Sequence, residues 1–223
     1  MNEKAHRPYT AQQRHNPNPI RWYWRALITG MDEWVKNNVT PPASTYPKVA
    51  DGTLVPLNKW KFPEISGVNK PHEFNLAYHL NFGSQWKQGI ITNEPPKVGK
   101  AFVVLVPQSD ADGNDLGGVR LPELQVPLAT YTGWNLRDPS IGAPDQRLSF
   151  LGSFIPLAKT AEERKKSGDP RISIAERYTS REQYLTKFEE AAKKLIQQRF
   201  ILQEDLPEIR QRGQQEWDEV MGH

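Results

Sequence analysis

The chain of 223 residues contains no cysteine, so disulfides, thiolate zinc sites, iron–sulfur clusters and cysteine nucleophiles are excluded. Serine, histidine and the carboxylates are then the groups to search first for covalent or acid–base chemistry. A serine nucleophile of the elbow type needs glycine two residues before and two after it, because the strand-to-helix turn that exposes its hydroxyl is too tight for a Cβ. No serine satisfies both positions. Ser140 has Gly142 after it but Asp138 before it, and Ser84 and Ser153 follow glycine directly. The five histidines are His6, His15, His72, His79 and His223, and no two are four residues apart as on a zinc-binding helix. His72 and His79 flank Glu73 in a stretch read as loop, and are expected to be half-buried loop residues. Asp110, Asp112, Asn114 and Asp115 have calcium-type chemistry, but Gly113 falls at the fourth position where the EF-hand loop needs glycine at the sixth, so a turn is expected. Gly99-Lys100 lacks the flanking residues of a phosphate-binding loop.

Two further clusters carry chemistry. Asp169, Arg171, Glu176 and Arg177 lie within Gly168–Tyr178. The two arginines could bind a carboxylate substrate, but a structural salt-bridge knot beneath a helix start is the preferred reading. Tyr131-Thr-Gly-Trp-Asn135 follows a predicted strand, and its aromatic pair could line a pocket or pack on the helical tail.

The elements that would position these groups are unevenly legible. Residues 1–17 are polar and aperiodic, and read as a flexible N-terminal arm unless docked. A helix is expected over 19–37, capped by Asn18 with Pro19 in its first turn and stopped before Pro41-Pro42. Its stripe of Trp24, Leu27, Ile28, Met31, Trp34 and Val35 is heavy enough to need a large surface to lie on. Residues 41–158 read as an irregular and β region. Glycine and proline break every run up to about Gly99, with short strands conceivable at Thr53–Pro56 and Gly89–Thr92. Ala101–Val106 reads as the clearest strand, returning after the Asp110–Asp115 turn through Val119–Leu121 and Leu124–Tyr131 as a hairpin or small meander. Residues 160–220 read as a helical tail. Thr160 with Glu163, Ser180 with Gln183, and Asp205 with Glu208 have capping-box spacing. Gly213 weakens the last helix. The whole is α+β, with residues 18–223 read as one extension-type domain.

Composition narrows the functional classes. Nineteen prolines and 15 glycines beside only 37% hydrophobic residues imply a loop-rich body with a thin core. A net charge of +3 is too small to argue for nucleic acid, and no apolar run approaches the length of a membrane span. No apolar h-region follows the start, so no signal peptide is visible and a cytoplasmic location is the default expectation. No motif calls for a cofactor or a metal.

A set of motifs in register gives a resemblance. Asn16-Pro-Asn-Pro19 leads into Arg25-Ala-Leu27 and Asp32-Glu-Trp-Val35. Pro41-Pro-Ala-Ser-Thr-Tyr-Pro47, Asp51-Gly-Thr-Leu54, Gly89-Ile-Ile-Thr92 and Pro95-Pro96 follow. Then come Val106-Pro107, Asp110-Ala-Asp-Gly-Asn114, Tyr131-Thr-Gly-Trp-Asn135, Gly152-Ser-Phe-Ile-Pro156 and Gly168-Asp-Pro-Arg171 with Glu176-Arg-Tyr178. Over residues 11–205 the order and spacing resemble the C-terminal part of the bacterial alpha/beta hydrolase domain proteins. The resemblance implies the last helix plus C-terminal extension of an α/β-hydrolase, with the sheet and the serine elbow on a preceding portion. It implies a serine-type ester or acyl hydrolase that is inactive as this chain alone, and gives His6 the place of the catalytic general base. The implied partner is the N-terminal hydrolase half, docked on the Trp24/Trp34 face. The alternative is a non-catalytic structural or interaction protein that self-associates through that face.

Overall fold

The computed structural model describes residues 10–72 and 74–222, in an α+β arrangement of short antiparallel sheets against a helical tail. In chain order the elements are β1 (Arg14–His15), α1 (Arg21–Asn37), β2 (Leu54–Pro56), β3 (Tyr78–Asn81), β4 (Lys97–Ala101), β5 (Leu105–Pro107), α2 (Pro122–Gln125), β6 (Ala129–Tyr131), β7 (Ser153–Pro156), α3 (Ala161–Ser167), α4 (Ile174–Arg177), α5 (Arg181–Gln197) and α6 (Leu206–Met221). The strands form a sheet of order β1-β7-β6 and two ribbons, β2-β5 and β3-β4.

The main core forms where α5 and α6 pack on each other and on the β1-β7-β6 sheet. On α5 the buried residues are Tyr184, Phe188, Ala191, Ala192 and Leu195, which recur at three- and four-residue steps and so share one face. Tyr184 meets Trp217 at 5.1 Å between ring centroids, while Phe188 lies against Gly213. As residue number rises along α5 it falls along α6, so the two helices run antiparallel. Gly213 is the residue that allows this approach. A Cβ there would lie 2.8 Å from the Phe188 ring, inside the closest contact a side chain tolerates. The expected outcome of Gly213→Ala is a loss of about 1–3 kcal/mol in urea unfolding, since overpacking a close-packed core outweighs the gain of about 1 kcal/mol in helix propensity. A stabilised variant would show that the helices slide apart at no cost.

Local chemistry sets the helix ends. Thr160 caps α3 by accepting from the Glu163 amide at 3.2 Å, and Gly168 closes it in the left-handed conformation. Ser180 caps α5 through the Gln183 amide at 3.1 Å. Asp205 does stand at the α6 N-cap, but makes no capping bond, because its carboxylate is taken by Arg25 at 2.9 Å. Asn18 does not cap α1. Ile20 holds that position without a side-chain bond, while the Asn16 side chain accepts from the Asn18 amide at 2.9 Å in a turn that precedes the helix.

The β region departs from expectation in three places. The run Ala101–Val106 is divided between β4 and β5, with exposed Phe102 and Val103 between them, and its halves pair with β3 and β2. The predicted return strand is absent as such. Pro122 lacks an N–H and starts α2, and only Ala129–Tyr131 reaches a sheet, where it pairs with β7. Gly89–Thr92 forms no strand. A 3-10 turn at Trp86–Gln88 ends at Gly89 in the left-handed conformation, and Thr92 donates back to the Phe82 carbonyl at 2.9 Å. Of the N-terminal arm, residues 1–9 lie outside the described residues and residues 10–17 are docked. β1 pairs with β7, and Arg14 ion-pairs with Glu219 of α6 and lies 4.9 Å over the Phe154 ring.

Candidate functional site

Helix α1 turns a different face inward from the one its apolar stripe suggests. Trp22 and Ala26 are buried, and Trp22 joins the main core. The stripe itself faces outward: Trp24 is 58% exposed, Met31 56% and Trp34 47%, with Leu27, Ile28 and Val35 more exposed still. Beside it, Trp24 and Leu27 form one wall of an apolar groove of about 550 Å³, with Pro41, Pro42 and Phe200 opposite.

A second feature centres on Trp134, which packs edge-on against Trp60 at 6.3 Å and Phe62 at 5.5 Å. Two adjoining cavities, about 470 and 290 Å³, share Phe74, Gly133, Trp134 and Arg147 as walls. Asp115 lines the smaller one, and burial, then the nearby Asp110 charge, push its carboxyl up to about 6 against the opposing pull of Arg120. The Tyr131–Asn135 motif is therefore split. Tyr131 points into the core, where it bonds to Glu216, while Trp134 faces the cavities. Asn135 is buried and ties the arm down by donating to the Gln13 carbonyl at 3.0 Å.

The acidic turn is held by arginines. Asp110 pairs with Arg120 at 2.5 Å, and Arg177 grips Asp112 with two nitrogens at 2.5 and 2.9 Å. Asn114 is buried and spans turn and sheet, accepting from the Tyr131 amide at 2.7 Å and donating to the Ala129 carbonyl at 3.2 Å. The Gly168–Tyr178 cluster is a knot rather than an open anion site. Arg171 is only 3% exposed, and its donors are spent on Asp169, Thr130 and the carbonyls of Ile155 and Pro156. His79 stacks on Phe102 at 3.9 Å, whereas His72 lines a separate shallow cavity with Lys70 and Asp145. Among the described residues no group of three or more histidines and carboxylates is placed to hold a metal, and no helix is long and apolar enough to cross a membrane. His6 lies outside the described residues.

One constellation has no counterpart in the sequence reading. Glu123 of α2 and Glu216 of α6 are both fully buried, beside Tyr131, Tyr184 and Arg212, and neither Glu123 oxygen meets a hydrogen-bond donor among the described residues. Burial pushes both carboxyls up. The polarity of its own backbone amide and then Arg212 partly offset this for Glu123, while the charges of Glu123 and Glu219 add to it for Glu216. The signal was present: Glu216 lies seven residues after buried Ile209 and next to Trp217, on the apolar face of its helix.

Residues 1–211 match the alpha/beta hydrolase domain family. This chain belongs to that family. No curated protein and no solved structure matches it. The alpha/beta hydrolase domain match spans α1, the ribbons, the sheet and most of the helical tail, so the small antiparallel sheets and the outward-facing α1 stripe are features of a family member.

Proposed function

We propose that this chain is the C-terminal portion of an alpha/beta-hydrolase-like ester or acyl hydrolase, and that its nucleophile is supplied by a sheet-bearing portion docked on α1. The observation that carries the reading is the exposed stripe from Trp24 to Val35 on a chain of this family. Each large apolar side chain on it gains roughly 1.5–3 kcal/mol when fully covered, and the face of an open sheet is the surface in a hydrolase that offers such cover. No serine among the 223 residues stands in G-x-S-x-G, so the reading assigns the attacking hydroxyl to the docked portion. His6 is given the role of general base, taking the serine proton and returning it to the leaving group.

The test is co-production with a polypeptide that carries a G-x-S-x-G segment and is encoded next to this chain, assayed on a panel of p-nitrophenyl esters. Ester cleavage is expected from the pair and from neither part alone. His6→Ala should lower the restored rate by about 10³-fold or more, and Trp34→Glu should prevent assembly. A pair that assembles yet cleaves no ester would refute the catalytic reading. If light scattering finds instead a stable homo-oligomer that Trp24→Glu dissolves, the stripe serves self-association and the protein is an interaction module.

A further inference from the structure

We infer that the paired cavities around Trp134 form a binding site for an aromatic carboxylate, with the ring seated between Trp134 and Phe74 and the carboxylate on Arg147. Three observations meet there. The first is the shape: the two cavities share four lining residues, and the larger, about 470 Å³, is roomy for a single substituted ring. The second is the cation. The Arg147 guanidinium lies 5.0 Å over the Phe74 ring and forms no ion pair among the described residues, whereas Arg137, Arg164, Arg171 and Arg177 each reach a carbonyl or a carboxylate. A guanidinium over an aromatic ring can keep N–H groups free for a planar carboxylate, and the ring of the same ligand can then pack beside it. The third is strain. Phe150, on the rim of the larger cavity, is fully exposed with φ +57°, a conformation that costs a bulky residue of order 1–3 kcal/mol. With its side chain fully exposed, Phe150 gains no burial to offset that strain, whereas a bound ring covered by Phe150 would supply it.

The carboxylate decides the ligand class. Trp134 and Phe74 with Gln146 and Ser149 would also suit a neutral sugar, but a sugar leaves the stacked guanidinium without an anion. The site uses residues of this chain alone, so it stands apart from the question of where the nucleophile lies.

The experiment is ¹⁹F NMR titration of the full chain with 4-fluorobenzoate, with 4-fluorobenzyl alcohol as the neutral comparator and maltose added as a competitor whose binding is read from displacement of the fluorinated ligand. Saturable binding of the carboxylate below about 10 mM is expected, with the alcohol and maltose at least about tenfold weaker. Arg147→Gln should weaken the carboxylate by about tenfold or more while leaving the alcohol unchanged. Arg147 is exposed, so the variant is expected to fold, and its circular dichroism spectrum checks this. Phe74→Leu should weaken both aromatic ligands. Absence of saturable carboxylate binding, equal binding by Arg147→Gln, or preferential binding of maltose would each overturn the assignment.

Discussion

Arg171→Met is expected to lower the free energy of unfolding by about 3–5 kcal/mol, the cost of stranding one partner of a buried ion pair. Arg171 and Asp169 are 1% and 9% exposed at the side chain, and the guanidinium meets the carboxylate through two nitrogens, at 2.9 and 2.6 Å. The remaining donors reach the Thr130 hydroxyl at 2.8 Å, the Ile155 carbonyl at 2.9 Å and the Pro156 carbonyl at 3.0 Å. Methionine fills much of the same volume, so the loss is electrostatic rather than a cavity. Burial pushes the Asp169 carboxyl up, but the hydrogen bonds and charge of Arg171, helped by Arg164, outweigh it and hold the group below its usual range. Removing the Arg171 side chain leaves only the residue-171 amide, at 2.9 Å from the carboxylate, and the Arg164 charge to oppose the burial effect. A depressed carboxyl contributes stability that is present above its unfolded value of 3.8 and is lost as pH falls through the folded value. The variant should lack that contribution, so its stability should depend less on pH in the acid limb. Arg171→Lys keeps the charge but loses the fork, and should fall between the two. Urea unfolding at pH 7 and pH 4 measures all three proteins, and a loss under about 1 kcal/mol for Arg171→Met would show that water reaches the knot.

What could be read from the residues alone divides by the range of the interactions. The caps at Thr160 and Ser180 were legible because a cap is settled within four residues. The capping box of Ser173 with Glu176 is equally local, with the Glu176 side chain accepting from the Ser173 amide at 3.1 Å, yet the surrounding arginines drew the reading toward ion pairs instead. Periodicity marked the stripe of α1 but not its surroundings, since a period says that a face is apolar and not what lies on it. The side that packs here is carried by Trp22 and Ala26. The split of Ala101–Val106 was hidden because the two ends of an apolar run look alike, while their partners, β3 and β2, are set by chain far away. The Tyr131–Asn135 motif pointed to a pocket through Trp134, but the other walls of the Trp134 cavities had no local signature for the same reason. Trp60, Phe74, Leu105, Gly133 and Arg147 meet only after the irregular middle of the chain has folded over the sheet.

The buried carboxyl pair leads to the second large effect, and its sign is opposite to that of Arg171. Glu216→Gln is expected to stabilise the protein at pH 8 by about 1–3 kcal/mol, because a buried group that must ionise is replaced by a neutral one of the same shape. The Tyr131 hydroxyl can still donate to the amide oxygen that replaces the carboxylate oxygen, so the hydrogen bond is kept. Both glutamates have folded values above the ordinary 4.5, burial being the first cause in each case. A raised carboxyl binds its proton more tightly in the folded state. Its contribution is therefore complete below pH 4.5 and is lost progressively as pH rises from there through the folded value. Among the described residues the groups facing the pair are Arg212, 3.7 Å from Glu216, Tyr131, Tyr184 and Glu219, and of these Arg212 brings positive charge. One cation faces two acids, so at most one is compensated when both ionise. Asp115, with its folded value about 6, adds a slope of the same sign but only below that pH. Comparing the native chain with Glu216→Gln between pH 6.5 and 8.5 cancels the groups the two share, so the difference in slope reports the glutamate pair. The native chain should weaken across that interval and Glu216→Gln should weaken distinctly less, whereas Arg212→Leu, which strips the pair of its cation, should cost about 3–5 kcal/mol at pH 8. Parallel slopes for the native chain and Glu216→Gln would mean that the pair ionises at ordinary cost, and that water reaches the glutamates.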